Sequence, residues 1–304
     1  MKEVIYLDSF DLSKCHFSSK LAITIGAFDG IHLGHMKIFN ALINNNDGLS
    51  KAVITFTNHP DYSLKKRDDF GLINNESEKI RIFDKIGFDY VIFLDKMFLD
   101  LDYNEFNCFL FKINTEVIYL GKDFVYGKGG KGNINTLNNL FKVCVIEDYY
   151  YNGNRLSSTL IRNLLSSGNI KELNELLVEP FSISGVVTHG KEIGRSIGFK
   201  TANIDYSNKF RLLKHGVYFC IACIDEKEYK AICNFGINPT IDSNNLPVLE
   251  IHILDFDQDI YGKDIKIILK EFHRDEIKFN SLEELKAQIN DDVSCLRMVE
   301  LWKL

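Results

Sequence analysis

Short apolar runs at 21–25, 52–56, 90–94, 117–120 and 143–146 are separated by stretches in which apolar residues recur every three or four positions, at 36–44, 76–86 and 103–113. The runs span four or five residues and are rich in β-branched side chains, which predicts buried strands. The stretches between them predict helices. Strand and helix in alternation predict an open parallel sheet with crossover helices, whose ligands bind beyond the carboxyl ends of the strands. Helical stretches at 158–168 and 170–177 close this half, and Pro180 breaks the pattern.

Beyond Pro180 the rhythm changes. Runs at 181–187, 217–224, 229–233, 248–254 and 265–272 predict strands joined by turns. Only 281–290 predicts a helix, opened by Ser281 with Glu284 three residues on, the spacing of a capping box. Six or so strands and one late helix predict a small antiparallel barrel. The expected domains are 1–178 and 179–304.

Composition adds exclusions. At 304 residues, 45% hydrophobic and with only 4 prolines, the chain supports two packed cores and not a disordered linker. A net charge of −6 gives no overall attraction to nucleic acid or an anionic membrane, so neither is an expected partner. No run approaches the ~20 apolar residues that span a bilayer, and the charged first ten residues do not form a signal peptide. The 7 cysteines have no framework spacing. Cys220 and Cys223 lie in an apolar run, where a three-residue offset turns their sulfurs to opposite faces. Reduced thiols and a cytoplasmic location are expected.

The most specific chemistry lies in G-A-F-D-G-I-H-L-G-H at 26–35, where a strand turns into a helix. Glycines there allow a tight turn and close approach of backbone to a ligand. The helix N-terminus offers free N–H groups and partial positive charge, which favour a phosphate. His32 and His35 stand one helical turn apart, so both imidazoles can face one oxyanion. This suits nucleotidyl transfer, with charge building on an α-phosphate as pyrophosphate departs. G-K-G-G-K-G at 127–132 meets the G-x-G-x-x-G pattern, but it follows the fourth strand, and Asn133 stands where a P-loop needs lysine. It is expected to form a loop covering phosphates. S-S-T-L-I-R at 157–162 opens a helix, and its hydroxyls either cap that helix or join Arg162 in holding a triphosphate.

In the second half, Gly185 and Gly190 lead to G-R-S-I-G-F-K-T-A-N at 194–203. Glycines at this density imply backbone close to a ligand. Thr201 and Asn203 are oxygen donors suited to a hard cation and its phosphates. Asn234 opens the polar turn N-F-G-I-N-P-T. Glu250 interrupts an apolar strand, alternating with His252, and is either ion-paired or a general base.

These motifs resemble, over nearly the whole chain, the bifunctional bacterial riboflavin kinase/FMN adenylyltransferases, or FAD synthetases. The likeness also rests on T-F-T-N-H-P (55–60), G-K-D-F-V-Y-G (121–127), L-E-I-H-I-L-D-F (249–256), Y-G-K (261–263) and E-F-H-R-D-E-I-K-F (271–279). The resemblance implies an H-x-G-H nucleotidyltransferase domain followed by a six-stranded flavokinase barrel with a C-terminal helix. It implies phosphorylation of riboflavin to FMN and ADP, then adenylylation of FMN to FAD with release of pyrophosphate. ATP is the implied co-substrate and Mg²⁺ the implied cofactor of both reactions. His32, His35, Arg162 and Glu250 match catalytic positions, Glu250 as the base, and Thr201 and Asn203 match metal and phosphate ligands. Gly26, Phe28, Asp29, Gly30, His59, Asp123, Ser158 and Thr159 match ATP- or flavin-binding positions of the first half. Gly185, Gly190, Arg195, Gly198, Asn234 and Arg274 do so in the second. His59 could equally belong to a purely structural turn.

The chain departs from the family in three places. Lys200 replaces the proline of Pro-Thr-Ala-Asn, Asn58 stands where proline is frequent, and His273 where an aliphatic residue is usual. Lys200 either loosens Thr201 or adds a phosphate contact, so the alternative is an FMN adenylyltransferase with a weakened or inactive kinase half. A flavin sensor has no need of His32, His35, Arg162 and Glu250 together. Adenylyl transfer to another acceptor leaves the barrel motifs unexplained. The expected partners are small molecules, with the chain a monomer or weak homo-oligomer.

Overall fold

The computed structural model describes residues 1–8, 17–46, 48–63, 72–189, 198–206, 212–237 and 247–300. They form two compact units, residues 1–160 and 161–304.

The first unit begins β1 (Glu3–Leu7), β2 (Leu21–Ile25), α1 (Leu33–Asn44), β3 (Ser50–Phe56), α2 (Pro60–Ser63), α3 (Glu76–Ile86) and β4 (Tyr90–Leu94). It continues with α4 (Tyr103–Lys112), β5 (Thr115–Gly121), β6 (Val125–Tyr126), β7 (Gly132–Asn133), α5 (Ile134–Asn138), β8 (Lys142–Ile146), β9 (Tyr150–Tyr151) and β10 (Asn154–Arg155). Six strands make one sheet in the order β1-β4-β3-β2-β5-β8, every neighbouring pair parallel. All five residues of β2 are buried, as a strand covered on both faces requires. Edge strand β1 escapes the sequence reading because it buries little on the side of half-buried Val4 and exposed Tyr6, and its first residue, Glu3, is exposed on the other. The chain leaves β2 toward β3 on one side, while β5 and β8 lie on the other. This is a topological switch point, where α/β sheets open a crevice.

Helix α6 (Ser158–Ser167) crosses the division between the units, and α7 (Ile170–Leu176) follows. The second unit is a closed barrel of β11 (Ser182–Thr188), β12 (Ala202–Tyr206), β13 (Gly216–Ile224), β14 (Lys227–Ile237), β15 (Pro247–Ile253) and β16 (Asp264–Arg274), followed by α8 (Leu282–Met298). The strand order is β11-β12-β15-β14-β13-β16, antiparallel throughout. Asn174 ties α7 to the barrel: its amide donates to the Leu269 carbonyl at 2.8 Å and accepts from the Phe181 N–H at 2.8 Å. Strand β12 was not expected as a separate element, since its five residues A-N-I-D-Y carry too little apolar signal. The capping box at α8 is only half formed. Ser281 accepts from the Glu284 N–H at 3.1 Å, but Glu284 turns its carboxylate to the Asn280 N–H at 2.9 Å. All the described cysteines are free thiols, with Cys220 buried and Cys223 half-buried.

Gly185 is a packing glycine of the barrel, because a Cβ there would lie 2.3 Å from the Asp205 carbonyl oxygen on the paired strand. Gly185→Ala should destabilise the barrel by about 1–3 kcal/mol in denaturant unfolding.

Candidate active sites

The first site forms where β2 ends and α1 begins. Its N-cap is His32, whose Nδ1 accepts from the His35 backbone N–H at 3.3 Å, while the His35 Nδ1 accepts from the His32 N–H at 3.4 Å. The two rings stack at 3.7 Å and 10°. A ring nitrogen that accepts carries no proton, so each Nε2 is the protonated nitrogen of a neutral imidazole. Burial pushes the His32 pKa down to about 4. His35 is held well below its ordinary value by burial, then by His32 and Lys79. Both are therefore neutral at pH 7 and present two N–H donors side by side. Gly34 is required for this, because a Cβ would stand 3.0 Å from the His32 ring. Phe28 packs its ring edge against His35 at 5.2 Å and adopts φ 44°, a strained conformation for a bulky residue.

A cavity of about 300 Å³ opens in front of the histidines, bordered by Gly26, Phe28, Asp123, Asp148, Arg155 and Ser158 among others. Three strand ends thus converge on it, as the switch point dictates. Arg155 is clasped between two carboxylates, Asp123 and Asp148, the latter at 3.0 Å from its Nε. Lys122 also pairs with Asp148 at 2.9 Å. Burial alone would raise the Asp148 carboxyl, but Lys122 and Arg155 outweigh it and hold it low. Sequence reasoning missed Arg155 and Lys122, although Lys122 stands beside Asp123 in the G-K-D-F-V-Y-G motif and Arg155 two residues before S-S-T-L-I-R.

Other expected residues of this half have different settings. Asp29 is 1% exposed and its carboxylate accepts from the Ile73 and Asn74 N–H groups at 2.8 and 3.0 Å, so it holds the turn. Gly30, at φ 62°, lets that turn reverse. Ser158 donates to the Asp29 carbonyl at 2.8 Å. His59 and the exposed Thr159 do not border the cavity, and Arg162 lies past the division inside α6. The G-K-G-G-K-G segment does not cover it either: Gly127 packs on the Tyr103 backbone and Lys128 pairs with Asp100 at 3.7 Å.

In the barrel, register assembles the second site. Thr188, Asn203, Glu250, Asn234, Val217 and Arg274 are successive cross-strand partners, one from each of the six strands. Cross-strand partners share a face, so Glu250 sits between two asparagines. A cavity bordered by Thr201, Asn234, Glu250, Arg274 and Glu276 lies against α8 residues Leu285, Ile289 and Asp292. Gly236 is what admits Glu276, whose carboxylate occupies the space a Cβ would need. A second cavity, about 410 Å³, is bordered by His189, Lys200, Thr201, Asp257 and Tyr261. Thr201 borders both.

Asp292, 2% exposed, anchors α8 over this site. It takes Arg274 in a two-pronged contact at 3.0 and 2.7 Å, Gln288 at 2.9 Å and His273 at 3.1 Å. Burial would raise its carboxyl, but Arg274 and Gln288 outweigh burial and hold it below the usual range. His273 also stacks on Phe219 at 4.2 Å. Lys200 reaches Asp257 in an exposed ion pair, and its carbonyl accepts from His252 Nδ1 at 2.8 Å, which pins the backbone before Thr201. Gly198 has φ 93° with open space beside it. Gly190 and Arg195 lie outside the described residues.

Comparison with known proteins agrees with this division of labour. Residues 14–160 match the FAD synthetase family and residues 177–299 the riboflavin kinase family. The bifunctional riboflavin kinase/FMN adenylyltransferase of Bacillus subtilis is 34% identical over 90% of both chains. That of Buchnera aphidicola from Acyrthosiphon pisum is 39% identical over 91% of this chain and 92% of its own. The chain belongs to the bifunctional riboflavin kinase/FMN adenylyltransferase family. It is an enzyme carrying both a riboflavin kinase and an FAD synthetase domain. A Streptococcus pneumoniae crystal structure described as a macrolide-efflux protein shares this fold, with TM-score 0.89 and 29% identity over 98% of this chain and 99% of that one. Among the described residues of this family member, no helix is long and apolar enough to cross a membrane.

Two outcomes follow from these geometries. His35→Ala should slow FAD formation from FMN by about 10²–10³-fold while leaving FMN formation from riboflavin intact, since one well-placed donor to a developing oxyanion is worth that much. Asp292→Ala should cost about 3–5 kcal/mol in unfolding of the barrel by leaving Arg274 uncompensated. Because the Asp292 pKa is depressed in the fold, its stabilisation is present above the ordinary carboxylate range and lost as pH falls through the lowered value. The parent should lose stability in acid more steeply than this variant.

Proposed function

We propose that the first unit adenylylates FMN and the barrel phosphorylates riboflavin, so that one chain converts riboflavin to FAD at two separate sites. The observation that carries the kinase reading is the register that sets Glu250 between Asn203 and Asn234 beside Thr201, which borders both barrel cavities. The nucleotide takes the larger cavity and the ribityl chain of riboflavin the one beneath α8. Glu250 removes the proton of the 5′-hydroxyl as its oxygen attacks the γ-phosphate, and ADP leaves. Thr201 and Asn203 form a neutral donor set of hydroxyl and amide oxygens. That fits Mg²⁺ held mainly by nucleotide phosphates, where it would neutralise phosphate charge.

In the first unit, an FMN phosphate oxygen attacks the α-phosphate of ATP and pyrophosphate leaves. The phosphate is largely dianionic at pH 7 and needs no base. His32 and His35 accordingly act as neutral donors to the developing charge. Arg155, Ser158 and the α1 N-terminus meet the phosphates. Asp123 holds Arg155 until phosphate displaces it. The functional boundary is taken at 178/179, two residues into the riboflavin kinase match that starts at residue 177. The free thiols fit the cytoplasm, and a monomer or weak homo-oligomer is the proposed state.

Chromatography of riboflavin, FMN and FAD over time tests the reading, with ATP and Mg²⁺ and reactions started from riboflavin or from FMN. FAD from both starts, with FMN preceding it in the first, is expected. FAD from FMN alone would leave only the adenylyltransferase. Lys200→Pro should keep the kinase kcat within about threefold, because the exposed Lys200–Asp257 pair contributes little and His252 already fixes the backbone.

A further inference from the structure

The turn bearing the histidine pair is braced by the start of α3. The Ile31 N–H donates to Asn74 Oδ1 at 3.0 Å, Asp29 receives the Ile73 and Asn74 N–H groups, and Lys79 Nζ donates to the Ala27 carbonyl at 2.7 Å. Lys79 is 4% exposed. Thr55 already donates to that carbonyl at 3.0 Å, so a buried ammonium is not needed merely to satisfy it. Burying an ammonium is costly, and an apolar side chain of similar length would fill the same space at lower cost. A charge kept at such a place points to a function for the charge.

Ala27 precedes Phe28, the strained residue whose ring edge lies against His35. We propose that Lys79 is a positioning residue for adenylyl transfer, its buried ammonium fixing the Ala27 carbonyl and through Phe28 the donor geometry of His35. The inference rests on the adenylyltransferase reading of this unit. The same charge acts on His35 directly. The titratable groups bearing on that imidazole are His32, itself neutral at pH 7, from its own helix cap and Lys79 from α3, while Phe28 and Phe39 are its apolar neighbours. Lys79 therefore helps keep His35 neutral as a donor.

The test is Lys79→Met in the full chain, assayed for kcat and KM in FAD formation from FMN, with its pH profile. The expected result is a kcat lowered on the order of 100-fold, as misplacement of a catalytic group by about 1 Å produces. KM for FMN and ATP should stay within about threefold, since ground-state binding is not what Lys79 serves. The acid limb of the profile should move to higher pH, because His35 has lost a like charge, and Lys79→Arg should recover part of the rate. If Lys79→Met does not fold by circular dichroism, Lys79→Gln carries the test, since it keeps a donor for Ala27 without the charge and should show the same shifted limb. A kcat within about threefold of the parent, or a lowered kcat with an unmoved acid limb, would overturn the proposal. A parent that makes no FAD from FMN would overturn the adenylyltransferase reading itself, and the role of Lys79 with it.

Discussion

The Nδ1 atoms of His32 and His35 are committed to each other's backbone before any substrate arrives, and this reciprocal cap sets much of the first unit's chemistry. It fixes both tautomers, stacks the rings, and leaves two Nε2–H groups pointing away from the helix. The surroundings serve the same end. Gly34 leaves room for the stack, Phe28 supplies an apolar edge at the expense of its own backbone, and burial keeps both rings uncharged. A cap usually has only to satisfy helix N–H groups. Here it also aims two donors at the place where the parallel sheet opens its crevice.

The barrel reaches a comparable result by register. Closure leaves no free edge along which a strand could slip, and a slip of one residue would turn Glu250 to the other face. Glu250 is held between Asn203 and Asn234 by backbone pairing, while Arg274, in the same row, is committed to Asp292. Val217, Asn234, Glu250 and Arg274 of that row line the cavity, and through Arg274 the row also anchors the helix that covers it. His273 joins that anchor through Asp292 and Phe219, so its departure from the family pattern has a packing role.

Strongly patterned elements were legible in the sequence: β2, α3 and β4 have the expected limits because full burial or clean periodicity leaves little choice. Edge strand β1 and short β12 were not, since each buries too little on one face to stand out. Motif residues on the strand-to-helix turn were legible because glycine and histidine there have few other uses. Asp29 was legible as part of a motif, but its task is to hold the turn. Lys79 and Asp292 gave no signal, since each acts through contacts with residues distant in sequence.

If one chain houses two independent reactions, two forms each crippled at one site should complement each other when mixed. Glu250→Gln and His35→Asn proteins are combined with riboflavin, ATP and Mg²⁺, and FAD is followed against each variant alone. Neither variant alone should make FAD efficiently from riboflavin, and the mixture should do so after a lag while FMN passes through solution. A mixture no better than its components, with each variant still properly folded, would contradict that independence.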